Sequence, residues 1–327
     1  MGPHMNLRTA RARVAACGAL AIGIGSAAVA PLVTTAAHAQ TQPTIKVADA
    51  SIRYGETAVV KGSAGAENAG RPVALEFSSP SGWRVIKSAT TAADGGFAFK
   101  SRLRRTGELR VALGDESAVR SSATPIATTA ARSASQRVTV AATLPVPYRR
   151  LDVPAGQTAV VRGRLRPWQA GRTVRLEILT GRRWRVVDRD RTDGGGRYAL
   201  AYKPGASGSR YARVTFAGDA ANGGALRRIG AVRSYRPALA SRYDMYGGAL
   251  ACGGSLGYNA LVVAHKTLPC GTKVRIRYRG RVAIATVRDR GPYVGGREFD
   301  LAGAVARRLG FNGVGTIWVS FSVKVKF

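Results

Sequence analysis

The sequence predicts an all-β protein: two tandem immunoglobulin-like β-sandwich domains, followed by a C-terminal β-barrel with one short helix. Three observations predict this organisation. A domain-sized segment occurs twice, and short alternating runs of apolar and polar residues separated by turn clusters fill both copies. A different set of alternating runs occupies residues 238–327. The chain of 327 residues is long enough for three such domains.

The first 39 residues have the composition of an export signal. Residues 2–4, Gly-Pro-His, resemble a cloning scar, so we expect the native chain to begin at Met5. Three arginines precede an apolar stretch from Val14 to Val33, and Ala37-His38-Ala39 is a small-x-small cleavage site. We therefore expect secretion with cleavage after Ala39. An uncleaved anchor is the alternative, because the apolar stretch is long enough to span a bilayer.

The charge of the chain indicates the class of partner. Lys and Arg number 51 against 18 Asp and Glu, a formal net charge of +33, and such a protein attracts polyanions. Because export would place the protein outside the cell, we expect anionic wall polymers as partners and no nucleic acid. The alternative is a compositional bias, since nearly all the basic residues are Arg and no compact basic block occurs.

Export also determines which state we expect for each of the three cysteines. Cys17 lies ahead of the apolar core of the signal, which argues against lipid anchoring. Cys252 and Cys270 remain, 18 residues apart, in a compartment where disulfides persist. We expect them to form a disulfide, worth about 3 kcal/mol in the chain-entropy model. Two free thiols or a metal pair are the alternatives, although no nearby Cys/His set has metal-ligand spacing.

An internal duplication predicts two domains of the same fold. Residues 55–62, GETAVVKG, return as residues 156–163, GQTAVVRG, and Trp184 repeats Trp83, each at an offset of 101 residues. A repeat of that length is the size of a domain rather than of a solenoid unit. We expect both tryptophans to be core or edge aromatics, with a sugar-stacking platform as the alternative.

Each copy has the pattern of an all-β domain. Short alternating runs such as Val73–Phe77 are separated by turn clusters such as Asp94-Gly95-Gly96. Such spacing indicates an immunoglobulin-like sandwich. The predicted domains cover residues 40–142 and 146–234, with a stiff Leu-Pro-Val-Pro linker between them and a long loop over residues 117–135.

The C-terminal unit is predicted to begin after Tyr235-Arg236-Pro237 and to cover residues 238–327. Lys273–Tyr278 and Val282–Val287 alternate as strands do, and Ile317–Val325 is the expected closing strand of a barrel. Such a barrel would bury a small core, supplemented by the disulfide.

A Gly- and Pro-rich loop joins a strand and a helix of this unit. Residues 289–301 read DRGPYVGGREFDL and carry a carboxylate near each end. Leu301–Leu309 follows as a short predicted helix that ends at Gly310. Glycine and proline let such a loop turn tightly and bring its backbone close to a ligand.

Together with residues 264–272, AHKTLPCGT, this loop resembles the rare lipoprotein A family of bacterial cell-wall proteins. The resemblance covers residues 240–321 and includes Ala240–Tyr243, where Arg242 replaces a Trp of the family. It implies a six-stranded double-psi β-barrel, a fold shared with expansins, and action on peptidoglycan. Some members of the family are lytic transglycosylases.

Asp289 is the predicted acid/base residue and aligns with a functional Asp of the family. In the strand pattern it shares a face with Ala283, Ala285 and Val287, where desolvation would raise a carboxyl pKa. In a lytic transglycosylase the C6 hydroxyl of the substrate attacks instead of water, so one carboxyl acting as acid and then base suffices. The alternative is an Asp that hydrogen-bonds its own turn.

Asp300 and His265 are the supporting candidates. The resemblance to expansins implies an essential role for Asp300; the alternative is a helix N-cap before Leu301, since Ala302 stands where the family has a capping Ser. His265 aligns with the His of the family motif and would orient a carboxyl or contact the sugar. The alternative is a structural histidine.

Substrate-binding candidates surround these motifs. Tyr243, Tyr246 and Tyr293 offer rings on which a sugar chain can stack, although core packing is the alternative for at least one of them. Lys266 and Arg290 lie within the two motifs and are expected to contact the substrate.

One position departs from the family. Active relatives carry a Glu eleven residues before the motif His, and here that position is Gly254. The leading prediction is a secreted, monomeric cell-wall protein whose barrel acts on peptidoglycan glycan strands as a lytic transglycosylase, with turnover left open by Gly254. The alternatives are a non-catalytic, expansin-like module and a structural or adhesive protein acting through its sandwich domains. No metal or organic cofactor is implied.

Overall fold

The structure is a computed structural model that describes residues 41–79, 82–114 and 130–321. The predicted export segment, most of the predicted loop over residues 117–135 and the end of the predicted closing strand lie outside the described residues. Within the described residues the fold is all-β with one α-helix, as predicted, and no helix there is long and apolar enough to cross a membrane.

The first copy of the repeat folds as two packed sheets. Its described strands are β1 (Thr44–Val47), β2 (Ser51–Arg53), β3 (Ala58–Ser63), β4 (Pro72–Ser79), β5 (Gly82–Thr90), β6 (Gly96–Ser101), β7 (Gly107–Leu113), β8 (Ala131–Arg132) and β9 (Gln136–Ala141), with a 3-10 turn at Ala66–Asn68. One sheet has the order β1-β3-β6 and the other β5-β4-β7-β9-β2, with β8 beside β7. Alternate residues such as Val60, Leu75 and Phe99 fill the core between the sheets.

The second copy repeats this arrangement. Its strands are β10 (Tyr148–Arg150), β11 (Asp152–Pro154), β12 (Ala159–Arg164), β13 (Thr173–Thr180), β14 (Arg183–Arg191), β15 (Arg197–Tyr202), β16 (Gly208–Gly218) and the first part of β17 (Gly223–Tyr243). The sheet orders β10-β12-β15 and β14-β13-β16-β17-β11 match those of the first copy strand for strand. The predicted tandem pair of immunoglobulin-like sandwiches is therefore confirmed.

The C-terminal part is a closed barrel. It contains the end of β17, then β18 (Val262–His265), β19 (Lys273–Tyr278), β20 (Arg281–Asp289), β21 (Phe299–Ala302), helix α1 (Gly303–Leu309) and β22 (Val314–Phe321). The pairing runs β17-β21-β18-β20-β19-β22 and returns to β17, so these six described strands close without a free edge. β17 with β21 and β18 with β20 are parallel pairs. The barrel has the predicted double-psi architecture.

The sandwich and the barrel share one strand. β17 runs unbroken through Tyr235–Pro237, where a domain boundary is predicted, so the chain changes domain inside a strand rather than in a linker. Tyr235 is buried at this junction, and its hydroxyl accepts a hydrogen bond from Arg275 Nε of the barrel at 2.9 Å. A continuous strand that contains a buried tyrosine stiffens the connection.

The two sandwiches are also joined by hydrogen bonds. Asn222, in the turn before β17, is fully buried and its amide donates to the carbonyls of Arg104 and Val140 in the first copy, at 3.0 and 3.2 Å. Arg172 donates to the side-chain oxygen of Asn222 at 3.1 Å. Leu144, in the predicted stiff linker, is buried in the core of the second sandwich.

The repeated tryptophans are edge-strand aromatics, one of the two predicted roles. Trp83 lies on β5 and Trp184 on β14, the outer strands of the equivalent sheets. The guanidinium of Arg110 lies 3.9 Å from the Trp83 ring centre, and that of Arg213 lies 4.2 Å from the Trp184 ring centre. One face of each indole is therefore covered by a cation.

Candidate functional site

The barrel register brings the two predicted carboxylates to one place. Asp289 at the end of β20 lies opposite Ala264 on β18, and Ala264 lies opposite Asp300 on β21. Asp300 in turn lies opposite Ser241 on β17. Residues directly opposite on neighbouring strands project to the same face of a sheet. Four strands thus place Asp289, Ala264, Asp300 and Ser241 in one row.

The orientation of Asp289 depends on a bulge that the sequence pattern did not predict. Val263 pairs with Val287, but Ala264 pairs with Asp289, so Arg288 is the extra residue. Asp289 therefore leaves the core-facing series of Ala283, Ala285 and Val287, which corrects the predicted alternation. Its Oδ1 accepts hydrogen bonds from the backbone N–H groups of Ala251 and Arg290, at 3.1 and 2.9 Å, which fix the half-buried carboxyl at the strand end.

Asp300 lies in a strand and does not cap the helix. The N-cap of α1 is Ala302, no side chain caps the helix, and α1 begins two residues later than Leu301, the predicted start. The predicted end is confirmed, because Gly310 closes the helix in the left-handed conformation. Asp300 is therefore free of the capping role that was one of its two predicted roles.

Burial gives Asp300 an unusual environment. Desolvation raises the pKa of its carboxyl, the neighbouring Ser241 hydroxyl and the charge of Arg297 oppose the shift, and the charge of Asp289 adds to it. Asp300 Oδ1, Ser241 Oγ and Tyr243 OH are all buried, and none makes a well-formed hydrogen bond with a described residue, although the Ser241 hydroxyl lies next to the Asp300 carboxyl and the Tyr243 hydroxyl next to that of Asp289. Buried polar atoms normally find a partner, so this cluster offers three hydrogen-bonding positions to a water or a ligand.

Tyr243 completes the cluster. Burial raises the pKa of its phenol, and the negative charges of Asp289 and Asp300 raise it further. The predicted substrate-binding residue is thus a neutral hydroxyl between two carboxyls. Its ring packs with Leu250 and Leu256 in a small apolar cluster under the site, so stacking on a sugar is replaced by packing.

His265 faces a different set of partners. Its Nδ1 accepts hydrogen bonds from the backbone N–H groups of Thr267 and Leu268, at 3.1 and 3.0 Å, and its Nε2 lies 3.3 Å from Glu298 Oε1. Burial lowers the pKa of the imidazole against the opposing effect of Glu298. These contacts select the neutral ring with its proton on Nε2, and His265 positions the loop that follows it.

Glu298 and Arg236 were missed by sequence reasoning. Arg236 Nη1 donates to Glu298 Oε2 at 2.7 Å, and Arg236 Nη2 pairs with Glu298 Oε1, so the two side chains form a two-pronged ion pair behind His265. Arg236 holds the pKa of Glu298 below its usual range. The sequence did contain one signal for Glu298. The chain has 18 acidic residues, so a carboxylate inside a motif is unusual.

Arg290 and Lys266 differ in how they are held. The Arg290 guanidinium donates to the carbonyls of His265 and Leu268 and to Cys270 Sγ, at 3.3, 3.0 and 3.2 Å. It therefore clamps the loop after β18 rather than facing solvent. Lys266 is exposed, so of the two predicted basic contacts it is the one open to a ligand.

Three tyrosine rings are exposed in the loops of the barrel domain. Tyr293 is 81% exposed, in the loop that follows Asp289. Tyr246 and Tyr258 form a tilted ring pair with centres 5.0 Å apart, and the Arg307 guanidinium lies 4.0 Å from the Tyr258 ring centre. Tyr258 was not singled out by sequence analysis, since it lies outside both motifs and one of its contacts, Arg307, is 49 residues away in sequence.

The predicted disulfide is present. Cys252 and Cys270 are bonded, with Cα atoms 5.9 Å apart, and join the loop over residues 244–261 to the turn before β19. Next to it, Gly254 has a φ of 76° in the left-handed region, and a Cβ there would lie 3.0 Å from an Arg288 guanidinium nitrogen. The position that carries Glu in active relatives thus faces a cation. Among the described residues no cluster of three or more His, Cys, Asp or Glu could hold a metal ion.

Comparison with known proteins finds matches to the C-terminal part of the chain. A family model described as "Lytic transglycolase" matches residues 238–321. The chain is 36% identical over 92 residues to the "Probable endolytic peptidoglycan transglycosylase RlpA" of Synechocystis, covering 26% of this chain and 29% of that protein. It is 44% identical over 63 residues to the "Endolytic peptidoglycan transglycosylase RlpA" of Neisseria meningitidis, covering 19% and 26%. The solved structure of the "Streptomyces papain inhibitor (SPI)" covers 27% of this chain and 94% of its own, at 26% identity and a TM-score of 0.24.

The fold and the family match define the class of the C-terminal domain: it is a double-psi β-barrel whose residues 238–321 match the family model described as "Lytic transglycolase". Within that class it is a rare lipoprotein A-like barrel, as the sequence motifs predicted. The chain spans less than a third of the length of these two curated relatives.

Proposed function

We propose that the barrel acts on the glycan strands of peptidoglycan as a lytic transglycosylase, with Asp289 as acid and then base. The observation that carries the proposal is the row in which Asp289 and Asp300 flank Ala264, beside the buried hydroxyls of Ser241 and Tyr243. The names of the two curated relatives, both endolytic peptidoglycan transglycosylases, support the same substrate.

The chemistry assigns a step to each group. Asp289 protonates the glycosidic oxygen as the bond from C1 to that oxygen breaks. The same carboxylate then takes the proton of the C6 hydroxyl as its oxygen bonds to C1, so protons balance without water. The raised pKa of Asp300 keeps its protonated form populated to higher pH, and a protonated carboxyl donates a hydrogen bond to the sugar. His265 positions the neighbouring loop, and Tyr293 and Lys266 provide contacts along the strand.

We extend the proposal to the rest of the chain. The export segment supports a secreted protein that works in the cell wall, and the +33 charge supports attraction to anionic wall polymers. We assign residues 40–142 and 146–234 to spacer or wall-binding sandwiches and residues 238–327 to a monomeric glycan-acting barrel.

A second candidate is a non-catalytic, expansin-like module that binds glycan and loosens the wall. Gly254 favours it, because a cation from Arg288 lies where active relatives place a carboxylate. In this reading Asp289 and Asp300 accept hydrogen bonds from sugar hydroxyls and transfer no proton.

The test compares the mature protein with Asp289→Asn and with Asp94→Asn, a matched change in a turn of the first sandwich. Each is incubated with glycan strands stripped of stem peptides, and strand length is followed by size-exclusion chromatography. We expect the wild type and Asp94→Asn to shorten the strands and Asp289→Asn to bind without shortening them. Shortening by Asp289→Asn would refute its role, and binding without shortening by every form would select the expansin-like candidate.

A further inference from the structure

A cleft of about 380 Å³ separates the second sandwich from the barrel, away from the carboxylate row. The sandwich contributes residues of β13, β16 and β17, and the barrel contributes Arg275, Ile284 and Ser320. A volume of this size fits a small ligand, and clefts between domains are common binding sites. The continuous β17 holds the two walls together.

The cleft is basic. Three half-buried arginines from three strands line it, Arg210, Arg233 and Arg275, and no carboxylate does. Asp152 pairs with Arg233 at 3.3 Å, and Arg275 donates to Tyr235 OH. Arg210 pairs with Val232 through its backbone, but its guanidinium makes no hydrogen bond or ion pair with a described residue. Partly desolvated guanidinium groups bind oxyanions more strongly than fully exposed ones do.

Two further features point to a ligand with both a charge and a ring. Ser320 is 1% exposed and its hydroxyl has no partner among the described residues, although it lines the cleft beside Arg275. Tyr211 and Ile284, 65% and 51% exposed, supply an aromatic and an aliphatic wall. An aromatic surface next to free guanidinium and hydroxyl groups suits a sugar that carries an oxyanion.

We propose that this cleft is a second binding site, for an anionic saccharide segment that bears carboxylate or phosphate groups. Ile284 precedes Asp289 by five residues on β20, a separation of about 16 Å along a strand. A charged polymer seated in the cleft would hold the protein on the wall while the barrel reaches a neighbouring glycan strand. The proposal does not depend on glycan cleavage.

The test measures binding by isothermal titration calorimetry at low salt. The probes are tetragalacturonate, a glycerol phosphate oligomer and neutral maltotetraose, and the matched control for Arg210→Gln is Arg84→Gln, an exposed arginine of the first sandwich. We expect the anionic probes to bind and the neutral one not to. Arg210→Gln should raise Kd about tenfold, and Arg84→Gln should leave it within twofold.

The tighter of the two anionic probes identifies the oxyanion. Tyr211→Ala should weaken the galacturonate complex but leave binding of the glycerol phosphate oligomer unchanged, because the tyrosine ring contacts the sugar ring and not the charge. Equal effects of Arg210→Gln and Arg84→Gln, equal binding of maltotetraose, or no binding of either anionic probe would overturn the proposal. Since the readout is binding, it is independent of whether Asp289 cleaves glycan.

Discussion

At the scale of single residues, the site separates side chains that hold the protein together from those left for a ligand. His265, Glu298 and Arg290 are committed to protein partners. Asp300 Oδ1, Ser241 Oγ and Tyr243 OH are buried without a well-formed hydrogen bond to a described residue. Residue type alone cannot make this distinction, because a motif histidine and a motif aspartate look equally reactive in a sequence.

His265 should make stability depend on pH. The three histidines of the chain are His4, His38 and His265, so a protein beginning at Gln40 has His265 alone. Burial lowers its folded-state pKa below the ordinary 6.5. The stability contributed by the neutral ring is therefore fully present above pH 6.5 and is lost as pH falls through the folded-state pKa. Urea unfolding between pH 7.5 and pH 5 should show a falling free energy of unfolding.

The control is the His265→Gln variant. Its free energy of unfolding should fall less than that of the wild type over the same pH range. One proton limits the slope from this group to about 1.4 kcal/mol per pH unit. An unchanged slope in the variant would mean that His265 is not the titrating group.

At the scale of elements, the sequence predicted most of the strands. It did not predict irregularities, such as a β-bulge, that determine in which direction a side chain points. Alternation predicted Lys273–Tyr278 to the residue, and Gly310 predicted the helix end. The bulge at Arg288 was not predictable, since it arises from pairing with β18 rather than from a local preference. The contacts of Glu298 and Arg236 were hidden for the same reason, because barrel closure brings β17 beside β21.

Pro237 shows a second limit of sequence reasoning. A proline after a polar pair suggested a boundary, yet it lies inside β17, opposite Trp318. Proline is tolerated in a strand where its missing N–H is not needed, and only the pairing pattern reveals such a position. The sequence therefore predicted where one domain ends and the next begins, but not that a continuous strand connects them.

The disulfide should stabilise the loop that covers the site. Replacing both Cys252 and Cys270 by Ser removes a cross-link across 18 residues and should lower the free energy of unfolding by about 3 kcal/mol. Urea denaturation with and without dithiothreitol measures this effect. The reductant should bring the wild type to the midpoint of the variant and leave the variant unchanged. Equal midpoints for oxidised wild type and variant would contradict a stabilising role.

At the scale of the whole molecule, the three domains are connected by ordered contacts rather than by free linkers. β17 belongs to a sandwich and to the barrel, and Asn222 bonds the two sandwiches together. Sequence indicated the number of domains from the repeat and the motifs. The sequence could not indicate how the domains contact each other, because a single buried asparagine in a turn produces no periodic pattern.

Asn222→Ala should loosen the first sandwich from the second. The variant leaves the carbonyls of Arg104 and Val140 and the guanidinium of Arg172 short of a partner, which should cost about 1–3 kcal/mol and increase the radius of gyration in small-angle scattering. Asn68→Ala is the matched control, because Asn68 bonds within the first sandwich and should lower stability without changing dimensions. Equal dimensions for Asn222→Ala and wild type would show that the turn does not hold the domains together.

The proposed function requires the barrel to cleave glycan without water, through the C6 hydroxyl of the substrate. The most direct measurement is mass spectrometry of the new ends formed when the mature protein digests stem-peptide-free glycan strands in H₂¹⁸O. We predict anhydro ends that are one water lighter than reducing ends and carry no ¹⁸O, and their absence with Asp289→Asn. Reducing ends labelled with ¹⁸O would contradict the claim and identify a hydrolase, and no new ends from the wild type would contradict cleavage itself.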